Sequence, residues 1–374
     1  MKANPQLFLL AFVVVTACGA ADQNRQVGPT SLKDAFNNDF LIGAAINRAQ
    51  FYGEDQRGVP IIQAQFNSIT PENVLKWQSV HPLPGKFDFA ASDRYVDFGE
   101  SNHMFIIGHT LIWHQQTPRW VFEDEDGNPV DRGILLQRMR EHILTVVGRY
   151  RDRIKGWDVV NEALNDDGTL RESPWRKLIG DDYIEKAFQF AHEADPQAQL
   201  HYNDYSLENI RKRHGAMALI KKLQTEGIPI TAVGLQEHVK MDWPSTNQVD
   251  ETISDFARLG VRVMITELDV DVVPATPANR AADVTLNART ATNSDEFAAG
   301  LPKANEQALA SRYAGLFRIY LKRRADISRV TFWGVTDGDS WLNSPHRTNY
   351  PLLFDRAGHP KPAFEEVLRV AHER

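Results

Sequence analysis

Short apolar runs alternate with amphipathic segments along almost the whole chain. Runs rich in Val and Ile predict buried strands at Phe40–Ile46, Gln65–Ile69, Met104–Leu111, Ile154–Val160, Gln199–Asn203, Ile230–Gln236, Val261–Glu267 and Val330–Val335. Between the runs, apolar residues recur every three or four positions, which predicts helices that include Ile134–Tyr150, Asp182–Ala194, His214–Gly227, Val249–Leu259 and Gln307–Arg324. Regular alternation of strand and helix indicates a parallel sheet with right-handed crossovers.

The number of repeats predicts how this sheet closes. Eight strand–helix repeats favour an α/β fold with a single (β/α)8 TIM barrel over residues 31–374. An open doubly wound sheet is the alternative, but the chain has no glycine-rich phosphate-binding fingerprint to support it. Such a barrel needs roughly 200 to 400 residues, so a separate second domain is not expected.

One stretch interrupts the alternation. From Pro274 to Ala304 the chain is rich in Ala, Thr, Asn and Pro and shows no clear period. Because it follows the seventh predicted strand, we expect it on the face where the carboxyl ends of the strands meet. Loops of this length are usually either functional or disordered, and both remain open.

The N-terminus is not expected to belong to the barrel. The apolar stretch Leu7–Ala17 is too short to span a bilayer and is typical of a secretory signal. The only cysteine of the chain, Cys18, follows directly, and Val15–Gly19 resembles the bacterial lipobox, in which the cysteine is acylated. The alternative is an ordinary signal peptide cleaved after Ala20 or Ala21.

We therefore divide this region into a lipoprotein signal peptide, residues 1–17, and a tether, residues 18–30. The expected location is the outer membrane or cell surface, with contact to the membrane only through a lipid on Cys18. Cleavage as an ordinary signal would instead give a secreted protein.

Composition and charge exclude several classes of function. The formal net charge is −7 and no run of Lys or Arg occurs, so nucleic acid is not an expected partner. A single cysteine allows no intramolecular disulfide, so stability has to come from the core. The eight tryptophans fit sugar stacking as well as ordinary packing and decide nothing alone.

Two glutamates end apolar runs. Glu162 follows the fourth predicted strand and Glu267 ends the seventh. In a (β/α)8 barrel the active site forms at the carboxyl ends of the strands, so a carboxylate there predicts catalysis. Two such carboxylates are the minimum required to cleave a glycosidic bond. Each of them alone could equally be a salt-bridge partner.

Other strand ends have polar and aromatic side chains together. These segments are 70–77, 108–116, 203–205, 235–238 and 333–342. Sugars present many hydroxyls beside apolar ring faces, so amide, carboxylate and imidazole groups next to Trp and Tyr predict a carbohydrate site. His109 and His114 could instead ligate zinc, but further ligands are lacking, so we expect no metal and no cofactor.

These motifs resemble those of glycoside hydrolase family 10 endo-β-1,4-xylanases, over about Phe40 to Phe364. The matching segments are Asn-Glu at Glu162, Thr-Glu-Leu-Asp at 266–269 and Trp-Gly-Val-Thr-Asp-Gly-Asp-Ser-Trp at 333–341. The resemblance implies endo-hydrolysis of xylan by a retaining double displacement without a cofactor. Glu162 would then be the acid/base and Glu267 the nucleophile.

The resemblance also implies roles for the surrounding residues. Asn161 matches the residue that holds a sugar 2-hydroxyl beside the nucleophile, and His238 and Asp269 match a hydrogen-bonded support. Asn203 and Tyr205 match substrate-binding residues nearer the cleavage point and the aglycone side. Residues that match the lining of the glycone subsites are Glu72, Asn73, Lys76, His109, Trp113, Gln116, Gln236, Trp333 and Trp341. Glu237 departs from the family, which more often has a small or neutral residue there.

Two other functions remain possible. A β-1,4-glucanase would use the same carboxylates, and a surface glycan-binding lipoprotein would bind sugar without turnover. The presence of both glutamates, with Asn161 and His238 beside them, argues against the second. The expected partners are xylan and xylo-oligosaccharides, and the expected state is a monomer. Pro274–Ala304 would shape the aglycone side and be dispensable for folding.

Overall fold

The computed structural model describes Met1 and residues 31–274 and 295–373. The expected signal peptide, the tether and Cys18 lie outside these residues, as does most of the segment Pro274–Ala304. Among the helices that are described, none combines the length and the apolar character needed to cross a membrane.

The described strands form a closed parallel barrel. They are β1 Leu41–Ile46, β2 Ser68–Pro71, β3 Phe105–Ile112, β4 Gly156–Asn161, β5 Gln199–Asp204, β6 Ala232–Leu235, β7 His238–Lys240, β8 Arg262–Asp271 and β9 Ile327–Phe332. Neighbouring strands follow the order β6, β5, β4, β3, β2, β1, β9 and β8, and β6 also pairs with β8. The short β7 pairs with the carboxyl-terminal part of β8. The predicted (β/α)8 barrel is confirmed.

Helices surround this barrel. The described α-helices are α1 Leu32–Ala35, α2 Arg48–Phe51, α3 Gly58–Gln65, α4 Trp77–Val80, α5 Ala90–Ser101, α6 Arg132–Arg149, α7 Pro174–Ile179, α8 Tyr183–Ala194, α9 Ile210–Thr225, α10 Thr246–Ala257, α11 Lys303–Lys322 and α12 Pro362–Ala371. A short 3₁₀ turn covers Arg119–Val121.

The five predicted long helices are present, but two of them begin four residues early. α9 starts at Ile210 and α11 at Lys303, whereas periodicity placed the starts at His214 and Gln307. Their first turns are mostly polar, so apolar periodicity begins only in the second turn. The Asn209 side chain caps α9 by accepting a hydrogen bond from the amide of Arg211.

Two strand predictions were wrong at their ends, and one strand was missed. Gln65, expected to open the second strand, is the last residue of α3. The last strand ends at Phe332 rather than Val335, and Gly334 then adopts a φ of 123° that turns the chain away from the barrel. β7 has only three residues, too few for any periodic signal.

The end of the aperiodic segment is better packed than its composition indicates. Phe297 is 3% exposed within the hydrophobic core, and its carbonyl accepts a hydrogen bond from Tyr350 Oη. The Asp295 carboxylate accepts bonds from the amide and hydroxyl of Thr348. Lys303 and Ala304 already belong to α11. Only the part before Asp295 can therefore be expected to be dispensable for folding.

Candidate active site

A cavity of about 440 Å³ opens where the carboxyl ends of the strands meet. Both catalytic candidates lie on its wall, together with most of the residues expected to contact substrate. The lining residues are Glu72, Asn73, Lys76, His109, Trp113, Gln115, Gln116, Asn161, Glu162, Tyr205, Gln236, His238, Glu267, Trp333, Asp339 and Trp341. Gln115 and Asp339 had not been singled out in the sequence. Asn203 and Asp269 lie behind the wall, at 0% and 1% exposure.

The backbone turns sharply at Glu162, directly after β4. Its φ of 57° lies in the left-handed region that residues other than glycine rarely adopt. The amide of Glu162 donates to the carbonyl of Asn203 at 2.9 Å, and its carbonyl accepts from Arg171 Nε at 3.2 Å. These bonds hold a strained conformation of the kind that accumulates at functional sites. Nothing in the sequence had pointed to Arg171, which lies in the loop after β4.

Three uncharged side chains orient the Glu162 carboxyl. Trp113 Nε1 donates to Oε2 at 2.9 Å, while Asn161 Nδ2 and Gln236 Nε2 donate to Oε1 at 3.2 and 3.0 Å. The carboxyl is thus held in one direction by uncharged donors. Glu162 is partly exposed to the cavity, where it can meet the oxygen of a leaving group.

The second carboxyl is held in a different environment. Glu267, on β8, is 5% exposed and accepts hydrogen bonds from Asn203 Nδ2 at 2.8 Å and His238 Nε2 at 3.1 Å. Burial would raise the pKa of Glu267, but these contacts and the nearby His109 hold it below the ordinary value. Glu267 is therefore ionised at neutral pH and suited to nucleophilic attack.

His238 links Glu267 to a second buried acid. Its Nδ1 lies 3.0 Å from Asp269 Oδ2, which also accepts a bond from Trp341 Nε1 at 2.8 Å. Burial would lower the pKa of His238, but Asp269 and Glu267 together raise it to about 10, so the ring is an imidazolium at neutral pH. The two acids differ, since burial raises the pKa of Asp269 despite its contacts. Glu267, whose pKa is lowered, is thus the more acidic of the two carboxyls that flank the imidazolium.

A chain of side-chain amides connects the two glutamates. Asn203 Nδ2 donates both to Glu267 and, at 2.8 Å, to Asn161 Oδ1, and Asn161 Nδ2 in turn donates to Glu162. Asn203 Oδ1 accepts from Thr266 Oγ1 at 2.6 Å. The amide of Asn203 is thus used entirely within the protein. Asn203 therefore positions both glutamates, whereas the sequence had predicted that it would contact the sugar directly.

The part of the cavity wall that bears Glu72 and Lys76 is rich in charge. Lys76 Nζ donates to Asn73 Oδ1 at 3.1 Å and lies 4.9 Å from the centre of the Trp113 ring. Burial lowers the pKa of Lys76, an effect that the surrounding carboxylates oppose. Burial and the nearby Asp339 raise the pKa of Glu72 to about 7. Near neutral pH, Glu72 can therefore either donate or accept a hydrogen bond.

Aromatic rings complete this side of the cavity. Trp333 meets the His109 ring edge-on at 5.4 Å, and Trp341 meets His238 at 5.0 Å. His109 Nδ1 lies 2.9 Å from Asp158 Oδ2, which fixes the orientation of the imidazole. The described residues contain no group of three or more His, Cys, Asp or Glu side chains arranged to hold a metal ion.

Tyr205 also lines the cavity. Its hydroxyl accepts a hydrogen bond from Arg171 Nη2 at 3.0 Å, and Lys212 Nζ lies 3.4 Å from the centre of its ring. Because Arg171 also donates to the carbonyl of Glu162, it joins this aromatic surface to the strained turn. The Tyr205 ring is therefore fixed relative to Glu162.

Known proteins share this architecture. The model of the family described as glycosyl hydrolase family 10 matches residues 31–370. An endo-1,4-beta-xylanase A from Xylanibacter ruminicola is 41% identical over 343 residues, which cover 91% of this chain and 93% of that protein.

Solved structures show the same likeness. A family 10 endoxylanase from a sugarcane soil metagenome superposes with a TM-score of 0.84 at 43% identity, covering 91% of this chain and 99% of its own. An intracellular xylanase from Thermoanaerobacterium saccharolyticum was solved as a variant with xylotetraose. It gives a TM-score of 0.79 at 36% identity and covers 90% of this chain and 97% of its own.

Proposed function

The chain belongs to glycosyl hydrolase family 10, and we propose that it is an endo-1,4-β-xylanase that acts by a retaining double displacement. One observation supports this most strongly. Two carboxyl groups face one sugar-sized cavity, Glu267 ionised beside an imidazolium and Glu162 held by uncharged donors. Retaining glycosidases need this division between a nucleophile and a proton donor.

The first step forms a covalent sugar ester. A Glu267 oxygen attacks the anomeric carbon while the bond from that carbon to the glycosidic oxygen breaks. Glu162 gives its proton to this oxygen, so the leaving sugar departs as an alcohol rather than an alkoxide. His238 and Asn203 hold the attacking carboxylate by hydrogen bonds and so limit its motion before attack.

The second step hydrolyses this ester. Glu162, now ionised, takes a proton from water as the water oxygen attacks the anomeric carbon from the face that the first sugar left. The bond to Glu267 breaks, and its electron pair returns to the carboxylate beside the imidazolium of His238. Two inversions give net retention, and both glutamates recover their starting protonation.

The preference for xylose over glucose is inferred from the residues that line the cavity and from the similar proteins. Glu72, Lys76, Gln116 and Trp341 all line the cavity, and we expect this crowded wall to reject the hydroxymethyl group that distinguishes glucose from xylose. The similar protein from Thermoanaerobacterium saccharolyticum was solved with xylotetraose. Both observations favour xylan over cellulose.

We expect the purified protein to release reducing ends from xylan much faster than from cellulose. Discrimination against one added carbon group is worth about 1–3 kcal/mol per subsite, roughly 10- to 200-fold, so weak cleavage of activated aryl cellobiosides should remain. The Glu267→Ala variant controls for contaminating activity. Faster release from cellulose would favour the glucanase, and binding of xylan without any release would favour the glycan-binding lipoprotein.

We also propose that the protein is exported and anchored by lipid on Cys18. The proposal rests on the apolar stretch Leu7–Ala17 and on the absence of any other cysteine from the sequence. Stable anchoring needs two acyl signals or more, which a triacylated cysteine would supply.

Mass spectrometry of protein from its native host should show a mature N-terminus at Cys18 carrying acyl chains. A Cys18→Ser variant should leave the membrane fraction while retaining its xylanase activity. An unmodified N-terminus at Ala21 or Asp22 would reject lipidation and favour simple secretion.

A further inference from the structure

The turn between β6 and β7 places one buried acid between two residues that contact the catalytic glutamates. Gln236 donates to Glu162 and His238 donates to Glu267, with Glu237 between them. Glu237 has a left-handed φ of 58°, is 1% exposed and does not line the cavity. The chemistry described above makes no use of it.

The backbone on both sides of Glu237 is tied to neighbouring strands. The amide of Gln236 donates to the carbonyl of Asp204 on β5 at 3.1 Å, and the Gln236 carbonyl accepts from the amide of Glu267 at 3.0 Å. The Glu237 carbonyl accepts from the amide of Asp269 at 3.4 Å. Movement of Glu237 would therefore be transmitted to the strand that bears the nucleophile.

A second buried carboxyl group faces Glu237. Glu208, just before α9, is 3% exposed, and its carboxyl is close enough to that of Glu237 for each to influence the pKa of the other. Within residues 31–274 and 295–373, no N–H or hydroxyl group donates to either Glu237 oxygen in good geometry. Because an ionised carboxylate is only an acceptor, two carboxyl groups can bond to each other only if one of them is protonated.

The charged groups around the pair mostly have other partners. On α9, Lys212 Nζ lies 2.9 Å from Asp204 Oδ1 and Arg213 Nε lies 2.9 Å from Asp255 Oδ2. The remaining neighbours are the guanidinium of Arg312, with Asp242 beside it, and the hydroxyl of Tyr320. Arg312 is itself bound, since it donates to the carbonyls of Lys240 and Pro244 at 3.1 and 2.6 Å.

These surroundings indicate which acid holds the proton. Burial raises the pKa of both carboxyls, and the negative charge of Glu208 raises that of Glu237 further. Lys212 and Arg213 act on Glu208 in the opposite direction, as Arg312 and Tyr320 do on Glu237, but the pKa of Glu237 remains the more strongly raised of the two. The proton therefore resides on Glu237, and Glu208 is the acceptor.

We propose that Glu237 is a positioning residue, which shares one proton with Glu208 and thereby holds the turn that aims Gln236 at Glu162 and His238 at Glu267. Loss of this proton in alkaline solution puts two negative charges behind the turn and loosens both contacts. Activity and thermal stability then decline together. The predicted effect on activity rests on the proposed function. The proton on Glu237 does not, because it can be observed without any substrate.

The sign of the effect follows from linkage. An acid whose pKa is raised by folding contributes stability that is fully present below its ordinary pKa and is lost as pH rises through the raised value. Glu237→Gln replaces the neutral acid by an amide of the same shape that does not titrate. His238, with a pKa near 10, titrates in both proteins, so the difference between them isolates Glu237.

The test compares the wild type, Glu237→Gln and the exposed control Glu125→Gln from about pH 6 to about pH 10. The substrate is 2,4-dinitrophenyl xylobioside, whose leaving group needs no proton from Glu162. We expect the ratio of alkaline to neutral kcat/KM to be several-fold higher in Glu237→Gln, and its Tm to fall less steeply with pH. The control should match the wild type.

Infrared spectroscopy gives the readout that is independent of activity. The wild type minus Glu237→Gln difference spectrum near neutral pH should contain the carbonyl band of a protonated carboxylic acid. Absence of this band, or Tm curves that stay parallel at every pH, would overturn the proposal. Failure of Glu237→Gln to fold would also overturn it, because the amide reproduces the neutral form. If no xyloside is cleaved at all, the infrared band and the Tm curves still show whether Glu237 carries a proton.

Discussion

Replacement of Glu267 by Ala should lower kcat/KM about 10⁵-fold or more on xylan and on activated aryl xylosides alike. The loss is the same for both because no leaving group, however good, can replace the missing nucleophile. The neighbours of this carboxylate, His238 and Asn203, are hydrogen-bond donors to it and do not occupy the attacking position. Initial rates on 2,4-dinitrophenyl and phenyl xylobiosides, with the exposed Glu125→Ala as control, measure the effect.

Small anions provide a second test of the same variant. Azide bound in the space left by the Glu267 side chain should attack the anomeric carbon from that face and give the α-xylosyl azide. A product of β configuration, or a dinitrophenyl substrate cleaved nearly as fast as by the wild type, would show that Glu267 is not the nucleophile.

Glu162→Ala should separate the two substrates instead. Cleavage of xylan and of phenyl xylobioside, which need a proton on the leaving oxygen, should fall by about 10²–10⁴-fold. Formation of the sugar ester from the dinitrophenyl substrate needs little proton help and should be largely spared. Hydrolysis of the ester then lacks its base, so a burst of dinitrophenol followed by slow turnover is expected.

Azide distinguishes this variant from the previous one. In Glu162→Ala, azide should accelerate turnover by attacking the ester on Glu267 and give the β-xylosyl azide. Equal losses on xylan and on the dinitrophenyl substrate, with no burst, would contradict the role of Glu162 as acid/base. Stopped-flow measurement of the burst and NMR of the azide product provide both readouts.

The barrel could be predicted from sequence because its signals are periodic and repeated. A buried parallel strand is a continuous apolar run, and the polar residue that ends it marks the face of the active site, which is how Glu162 and Glu267 were found. The boundaries were less accurate where the first turn of a helix is polar, as at Ile210 and Lys303. Periodicity also cannot detect β7, with three residues.

The supporting contacts of the site could be predicted only in part. His238 and Asp269 were expected beside Glu267 because they resemble a family motif, and both lie there. The depth of Asn203 could not be inferred, since a residue at the end of a strand can face either the cavity or the protein. Arg171 and Glu208 contact residues that are distant in sequence, Tyr205 and Glu237 respectively, and neither lies in a recognisable pattern.

Proton NMR of xylohexaose hydrolysis tests the retaining mechanism most directly. Spectra recorded faster than mutarotation report the configuration at the new reducing end before it equilibrates. Attack by Glu267 followed by attack of water activated by Glu162 predicts that the first product has the β configuration, with the α anomer appearing only later. An α product at the earliest times would mean a single displacement by water, and would contradict the assignment of Glu267 as nucleophile.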